Sequence, residues 1–302
     1  MLLEDLQVFA TAAVTRNLRA AADVLGVTQP AVSKSIRRLE LSLGTKVFER
    51  TARGVALTRA GQAVFERNKS LAAMIHAMRT EVADMTAANT GIIRLGTTPA
   101  VTESMVIPTL AGLIAGPSAL RIQLRIQLSA LLLRDLQAGS LDMAIATMPA
   151  GVPADLNFEP LGSTNAFFVV RRDHPILARP FTLDDLSRQK WLLPPADVIT
   201  QWLASIFMMA HCTVPTFTIQ ADASPHLFTS LVASTDLVAM MTENMLAENE
   251  ATGLVRLPPP APTRDLHVAL FWRRTAFFSA AMERCRSEVK RIVAMRAGFG
   301  AR

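Results

Sequence analysis

The chain has 302 residues, half of them apolar and 19% charged, with 31 Lys/Arg against 25 Asp/Glu and a formal net charge of +6. That length suits two or three domains, and this balance excludes a chain that is disordered throughout. Two cysteines exclude a disulfide-built scaffold and fit a reducing cytoplasm. Glu4 and Asp5 stand where a secretory signal carries Lys or Arg, so no signal peptide is expected. The longest uncharged run, 198–221, is broken by Pro215 and holds Thr200, Gln201, His211, Thr213 and Gln220. It reads as a buried helix followed by a strand, and no membrane partner is expected.

The charge is uneven. Residues 1–60 carry nine Lys/Arg against five acids, 264–302 carry nine against three, and the middle is mildly acidic. A basic first segment is the electrostatic footprint of a nucleic-acid-binding head, though a solvated surface has the same composition. Within it, Leu2, Leu3, Leu6, Phe9, Ala10 and Ala13 form an apolar helical stripe. Asn17 can cap a second helix that Gly26 ends, and the alanines at 20–22 let another helix approach closely. Thr28 is a cap candidate with Pro30 in the first turn of a third helix. That helix sets Ala31, Val32, Ile36, Leu39 and Leu43 against a face of Ser33, Lys34, Arg37 and Arg38. Arg38 and Lys46 read as surface charges. Residues 45–58 alternate around Arg53-Gly54 like a β-hairpin, with Arg50 and Arg53 near its tip. A helix-turn-helix followed by a wing is the expected fold.

Residues 20–62 resemble the winged helix-turn-helix of LysR-type transcriptional regulators. The resemblance rests on the small-residue run, Thr28-Gln29-Pro30-Ala31, Leu39-Glu40, Leu43-Gly44 and Thr58-Arg59-Ala60-Gly61. Leu18, where an aromatic is common, and Lys46, in a loop that is usually more apolar, are mild departures. The resemblance implies that Gln29, Ser33, Lys34 and Arg37 face the major groove, where Gln suits adenine edges and Arg or Lys guanine, and that Pro30 belongs to the same DNA-binding set. Asn17, Arg19, Thr28, Arg50 and Arg53 are then expected at phosphates or the minor groove. Each of these has a plainer role open to it, as a cap or a solvated side chain.

No Pro or Gly follows Gly61 until Gly91, and Val64, Asn68, Leu71, Ile75, Met78, Val82 and Met85 keep a heptad spacing. That seam predicts a helix pairing with a second copy, Asn68 being its one polar member. The resembled family uses this segment as a dimerising linker.

The remaining two hundred residues alternate strands and helices, an α/β pattern. Residues 120–128 (LRIQLRIQL) read as a strand with one buried face. The pattern is similar to the family's effector-binding region, two α/β lobes like those of a periplasmic binding protein. Matching segments are Leu136 with Gly139-Ser140-Leu141-Asp142, and VVRRDHP at 169–175; Ser234-Thr235-Asp236 departs from the usual Gly-x-Gly turn. The expected division is a DNA-binding head at 1–60, a linker helix at 61–89 and an effector domain at 90–302. In that domain lobe one takes 90–163 and 267–302, and lobe two 164–266. Ligands of such folds sit beyond strand C-termini, beside helix N-termini. The candidates are therefore Thr97, Thr98, Pro99, Ser129, Ala130, Thr147, Pro195, Thr200, Ser224 and Thr242, each hydroxyl being open to a capping role instead.

The five histidines (76, 174, 211, 226, 267) lack metal spacing, and neither a GxGxxG string nor a P-loop occurs. No metal, no cofactor and no enzymatic activity are expected. The resemblance implies a cytoplasmic homodimer or homotetramer that binds promoter DNA and acts, as activator or repressor, with RNA polymerase, its effector a small organic acid, aromatic or otherwise. Two rival readings stand at this point: a small-molecule-binding or catalytic α/β protein with a vestigial helix-turn-helix, and a redox sensor using Cys212 or Cys285.

Overall fold

The computed structural model describes residues 2–51, 54–86, 92–115, 120–195, 198–221, 225–247 and 253–299. The chain divides near Met78 into two compact units.

The first unit holds α1 (Leu3–Thr15), α2 (Leu18–Leu25), α3 (Gln29–Leu43), β1 (Phe48–Thr51), β2 (Gly54–Leu57) and most of α4 (Arg59–Thr86). Left-handed residues at Arg16, Gly26 and Gly44 end the first three helices. The Asn17 side chain accepts from the N–H groups of Arg19 at 2.9 Å and Ala20 at 3.2 Å, starting α2. Ala21 and Ala22 are buried beside Phe9, Val32, Ile36 and Leu39, and Val64 and Phe65 of α4 pack on the same core.

The structure corrects one expectation in this unit and gives partners to two surface charges. Leu2 and Leu3 are exposed and Asp5 is buried; of the expected α1 stripe Leu6 and Phe9 are buried and Ala10 and Ala13 half-buried, and Ala12, outside that stripe, is buried too. Arg38 is no free surface charge: its Nε lies 2.9 and 3.0 Å from the Asp5 oxygens, and Ser35 Oγ donates to Asp5 Oδ1 at 2.5 Å. Hydrogen bonding from Arg38 holds the Asp5 carboxyl well below the usual carboxylate range, against the opposing effect of burial. Lys46 also has a partner, donating to Glu40 at 2.8 Å, while the other Glu40 oxygen accepts the Val47 N–H at 3.0 Å.

The Thr58–Gly61 motif closes the wing. Thr58 Oγ1 donates to the Lys46 carbonyl at 2.8 Å and accepts the Gly61 N–H at 3.0 Å, capping α4. A Cβ on Gly61 would lie 2.0 Å from the Val47 carbonyl oxygen, so only glycine fits.

The α4 seam splits in two. Asn68 Nδ2 donates to the Leu6 carbonyl at 3.0 Å, tying α4 to α1, whereas Leu71, Met74, Met78 and Val82 are exposed and Ile75 is half-buried. Met85 lies outside the described side chains.

The second unit is built on a nine-stranded sheet in the order β4-β3-β5-β11-β6-β9-β7-β8, with β10 on β6. Its strands are β3 (Ile92–Thr97), β4 (Arg121–Ile126), β5 (Met143–Thr147), β6 (Leu156–Arg171), β7 (Lys190–Leu193), β8 (Phe217–Gln220), β9 (Leu237–Thr242), β10 (Leu254–Arg256) and β11 (Thr263–Arg273). The helices are α5 (Pro99–Val101), α6 (Ile107–Ile114) after a π-helical turn, α7 (Ser129–Gln137), α8 (Leu183–Ser187), α9 (Val198–Met209), α10 (Pro225–Ser234), α11 (Glu243–Ala247) and α12 (Ala280–Phe299). The long antiparallel strands β6 and β11 run through both lobes, so the expected boundaries at 163/164 and 266/267 fall inside strands. Separate cores lie around Ile93, Leu95 and Leu270, and around Phe168, Trp191 and Phe207. The expected buried face of 120–128 is found only in part: β4 is the sheet edge, paired on one side to β3, and leaves Leu124 and Ile126 41% and 47% exposed. Helix α11 and strand β10 are too short to have given a periodic signal.

Candidate functional site: a basic helix-turn-helix face and an interlobe cavity

On α3, Val32, Ile36 and Leu39 face the core, and Gln29, Pro30, Lys34 and Arg37 lie exposed on the opposite side, with Ser33 half-buried between. The spacing of Pro30, Lys34 and Arg37 stacks them along one face of a 3.6-residue helix. Thr28 has cap-like backbone angles (φ −82°, ψ 150°) but its hydroxyl makes no cap bond, which leaves it outward. Asn17 differs: its side-chain oxygen is spent on α2, so only its amide N–H groups remain for another partner. Arg19 is exposed in the first turn of α2, and Arg50 is exposed on β1 opposite Val55. Arg53 lies outside the described residues. Lys34, Arg37 and Arg50 make no ion pair among the described residues, unlike Arg38 and Lys46.

In the second unit, a cavity of about 120 Å³ opens between the two lobes. Lobe one contributes Thr98, Pro99, Ala100, Leu128, Ser129, Ala130, Thr147 and Met148; lobe two contributes Ala166, Pro194, Ile199, Phe228, Met240, Met241, Thr242, Met245 and Leu266. Six of the ten sequence candidates, Thr98, Pro99, Ser129, Ala130, Thr147 and Thr242, line it. Four do not. Thr97 is fully buried in the sheet and donates to the Thr98 carbonyl at 3.2 Å. Pro195 and Thr200 are half-buried, and their neighbours Pro194 and Ile199 line the cavity instead, because one residue's step turns a side chain to another face. Ser224 lies outside the described residues.

The polar chemistry of the cavity is hydroxyl chemistry. Ser129 Oγ and Thr147 Oγ1 hydrogen-bond each other at 2.7 Å. Thr98 Oγ1 and Thr242 Oγ1, one from each lobe, are buried without a hydrogen-bond partner among the described residues. Such groups are costly to bury unsatisfied. Ser129 and Ala130 open α7, whose first-turn N–H groups and dipole favour an anion. Among the described residues, no charged side chain stands in the lining. Four methionines and Phe228 belong to the apolar wall and give it a soft surface suited to a flat hydrocarbon body. Sequence reasoning missed these methionines because nothing in their spacing separates a cavity wall from a core.

The remaining reactive groups lie elsewhere. Burial pushes the Cys285 thiol up to about 12, and the half-exposed Cys212 donates weakly to the Ala210 carbonyl at 3.5 Å. His174 Nδ1 accepts the Ile176 N–H at 3.1 Å, and burial lowers its basicity. Among the described residues no His, Cys, Asp and Glu cluster could hold a metal, and no helix is long and apolar enough to cross a membrane.

Two family models match the sequence: a bacterial regulatory helix-turn-helix of the lysR family over residues 3–62, and a LysR substrate-binding domain over 86–293. The regulator PcaQ of Agrobacterium fabrum is 30% identical over 260 residues, covering 84% of this chain and 82% of PcaQ. GbpR of Azospirillum brasilense is 29% identical over 260 residues, 85% of this chain and 76% of its own length. The structure of full-length CbnR complexed with its target DNA is similar with a TM-score of 0.67 at 16% identity, covering 97% of this chain and 100% of that one.

Proposed function

The chain belongs to the LysR family of transcriptional regulators, and on that premise we propose how its own residues perform ligand-responsive DNA binding. It is a DNA-binding transcription regulator with an effector-binding domain rather than an enzyme. In our reading the head is 1–60, the linker 61–89 and the effector domain 90–302. Gln29, Pro30, Ser33, Lys34 and Arg37 read the major groove of promoter DNA, and Asn17, Arg19, Thr28, Arg50 and Arg53 hold phosphates or the minor groove. The support is the outward face of α3, which bears unpaired cations over an apolar inner face.

The effector is a small organic acid with an apolar, preferably aromatic, body. The observation that carries this is the pair of buried hydroxyls, Thr98 and Thr242, which have no hydrogen-bond partner among the described residues and belong to residues lining one cavity from opposite lobes. A ligand bonded to both prefers the closed arrangement of the lobes. It therefore shifts the population toward that arrangement by its difference in affinity. The oligomer then changes the spacing of its heads and the bend of the promoter, and RNA polymerase reads the result. The site of action is the cytoplasm.

A thermal-shift screen of small acids tests the ligand reading, since a molecule that binds only the folded state raises its melting temperature. Duplex binding measured against salt tests the DNA reading, because phosphate contacts make affinity fall steeply as salt rises. Arg37→Ala is expected to cost about 1–3 kcal/mol of discrimination between a preferred and a scrambled duplex, with the helical content of the chain unchanged. An unchanged footprint would remove Arg37 from the interface.

Self-association through α4 is supported by the exposed Met74, Met78 and Val82 on a helix too long for one small domain. Met78→Asp is expected to halve the mass seen by light scattering, and a mass equal to that of the unsubstituted chain would place the contact elsewhere.

A further inference from the structure

Helix α3 carries two adjacent arginines that are held differently. Arg37 makes no ion pair among the described residues, whereas Arg38 is gripped along one edge. Its Nε lies 2.9 and 3.0 Å from the Asp5 oxygens and its Nη2 pairs with Asp5 Oδ1. Asp5 is fully buried and is itself fixed by Ser35 Oγ at 2.5 Å and the Leu2 N–H at 3.1 Å. A guanidinium presents five N–H donors in a rigid plane. Asp5 occupies the Nε edge; the Nη1 edge makes no hydrogen bond among the described residues, and the side chain stays 45% exposed. Lys34 lies one turn earlier on α3, so the two cations are surface neighbours.

An apolar residue at position 5 would extend the Leu6–Phe9 stripe without the desolvation cost of a buried carboxylate, so stability alone is a poor account of this pair. We propose that Arg38 is a DNA-phosphate contact and that Asp5 is its positioning residue, fixing the guanidinium with its free fork outward. The fork matches two phosphate oxygens at once, and a side chain already held in place loses less freedom on binding than a mobile one.

This inference rests on the DNA-binding reading above, and the experiment separates the two. The full-length chain is titrated against salt with a duplex that it selects from a random pool, and with a scrambled duplex. Arg38→Lys keeps an ammonium for Asp5 but has no second edge to offer. It is expected to weaken both duplexes by a common factor and to make the log–log salt slope shallower by about 1. Asp5→Asn frees the guanidinium without removing its charge, so the slope holds while both affinities fall by a common factor smaller than that of Arg38→Lys. The double variant Asp5→Asn/Arg38→Gln leaves net charge unchanged and replaces the ion pair by an amide pair. It is expected to repeat the slope change, which keeps the test available if the lysine variant is unstable. Native affinity and slope in Arg38→Lys, or in the double variant, would reduce the pair to a structural brace. Failure of the unsubstituted chain to bind either duplex at low salt would overturn the DNA-binding reading itself.

Discussion

Valine at Thr98 and Thr242 together is expected to stabilise the ligand-free chain and to weaken the effector about 100-fold. Valine and threonine are close in shape, so the substitution removes a hydroxyl with little change of volume. Both residues are buried, 4% and 3% exposed, and neither hydroxyl has a partner among the described residues. An unsatisfied buried polar group costs about 1–3 kcal/mol, and its removal recovers part of that cost. The ligand-free melting temperature should therefore rise. Each hydroxyl that bonds a charged ligand contributes about 1.5 kcal/mol or more, so losing two of them lowers affinity by roughly two decades. The measurement is a melting curve with and without the best acid from the screen. A variant that melts lower in the absence of ligand would mean that the hydroxyls already have partners, and that the cavity is a structural one. The single variants separate the lobes: Thr98→Val and Thr242→Val should weaken the same ligand by similar factors if it bridges the two.

That opposition between stability and binding explains why the site is hard to read in a sequence. Thr98 announces itself as the cap residue of a helix after a strand, and its backbone has a cap's angles (φ −88°, ψ 148°), yet its hydroxyl makes no cap bond. Local pattern marks the position and says nothing about whether the oxygen is spent. Asn17 is the converse, a cap candidate whose oxygen is spent on capping. The head was legible because each of its constraints is local: a left-handed glycine at Gly26, small residues at 21 and 22, and a glycine at 61 under a backbone carbonyl. The order of strands and helices in the effector region was legible for the same reason, since period and breakers are written along the chain. What stayed hidden depends on partners far apart in sequence. Asp5 and Arg38 are 33 residues apart. The alternation of 120–128 gave a strand correctly but could not say that it would sit at a sheet edge with both faces largely open. The cavity wall draws Met148 from one lobe and Met240, Met241 and Met245 from the other, and no single segment contains its outline.

Gly54→Ala is expected to destabilise the head by about 2–4 kcal/mol and to abolish duplex binding, although Gly54 bears no side chain to touch DNA. Two separate costs meet at this residue. Its φ of +140° is a backbone conformation that L side chains rarely adopt, and a Cβ there would lie 2.2 Å from the Arg16 carbonyl oxygen. That same carbonyl accepts the Val55 N–H at 2.9 Å, the bond that fastens β2 to the turn between α1 and α2. Relieving the clash means lifting the wing from this turn, and Arg50, paired opposite Val55, is carried away with it. Gly26 separates the two costs, because it is left-handed (φ +66°) and a Cβ there would meet nothing within 4 Å. Asparagine tolerates the left-handed region, so Gly26→Asn should be nearly neutral. Gly54→Asn should fail as Gly54→Ala does, since the carbonyl blocks any Cβ. Hydrogen exchange of the Val55 amide in the full-length chain reads the outcome directly. Protection retained in Gly54→Ala would show that the wing does not depend on this contact, and that its arginine is positioned by other means.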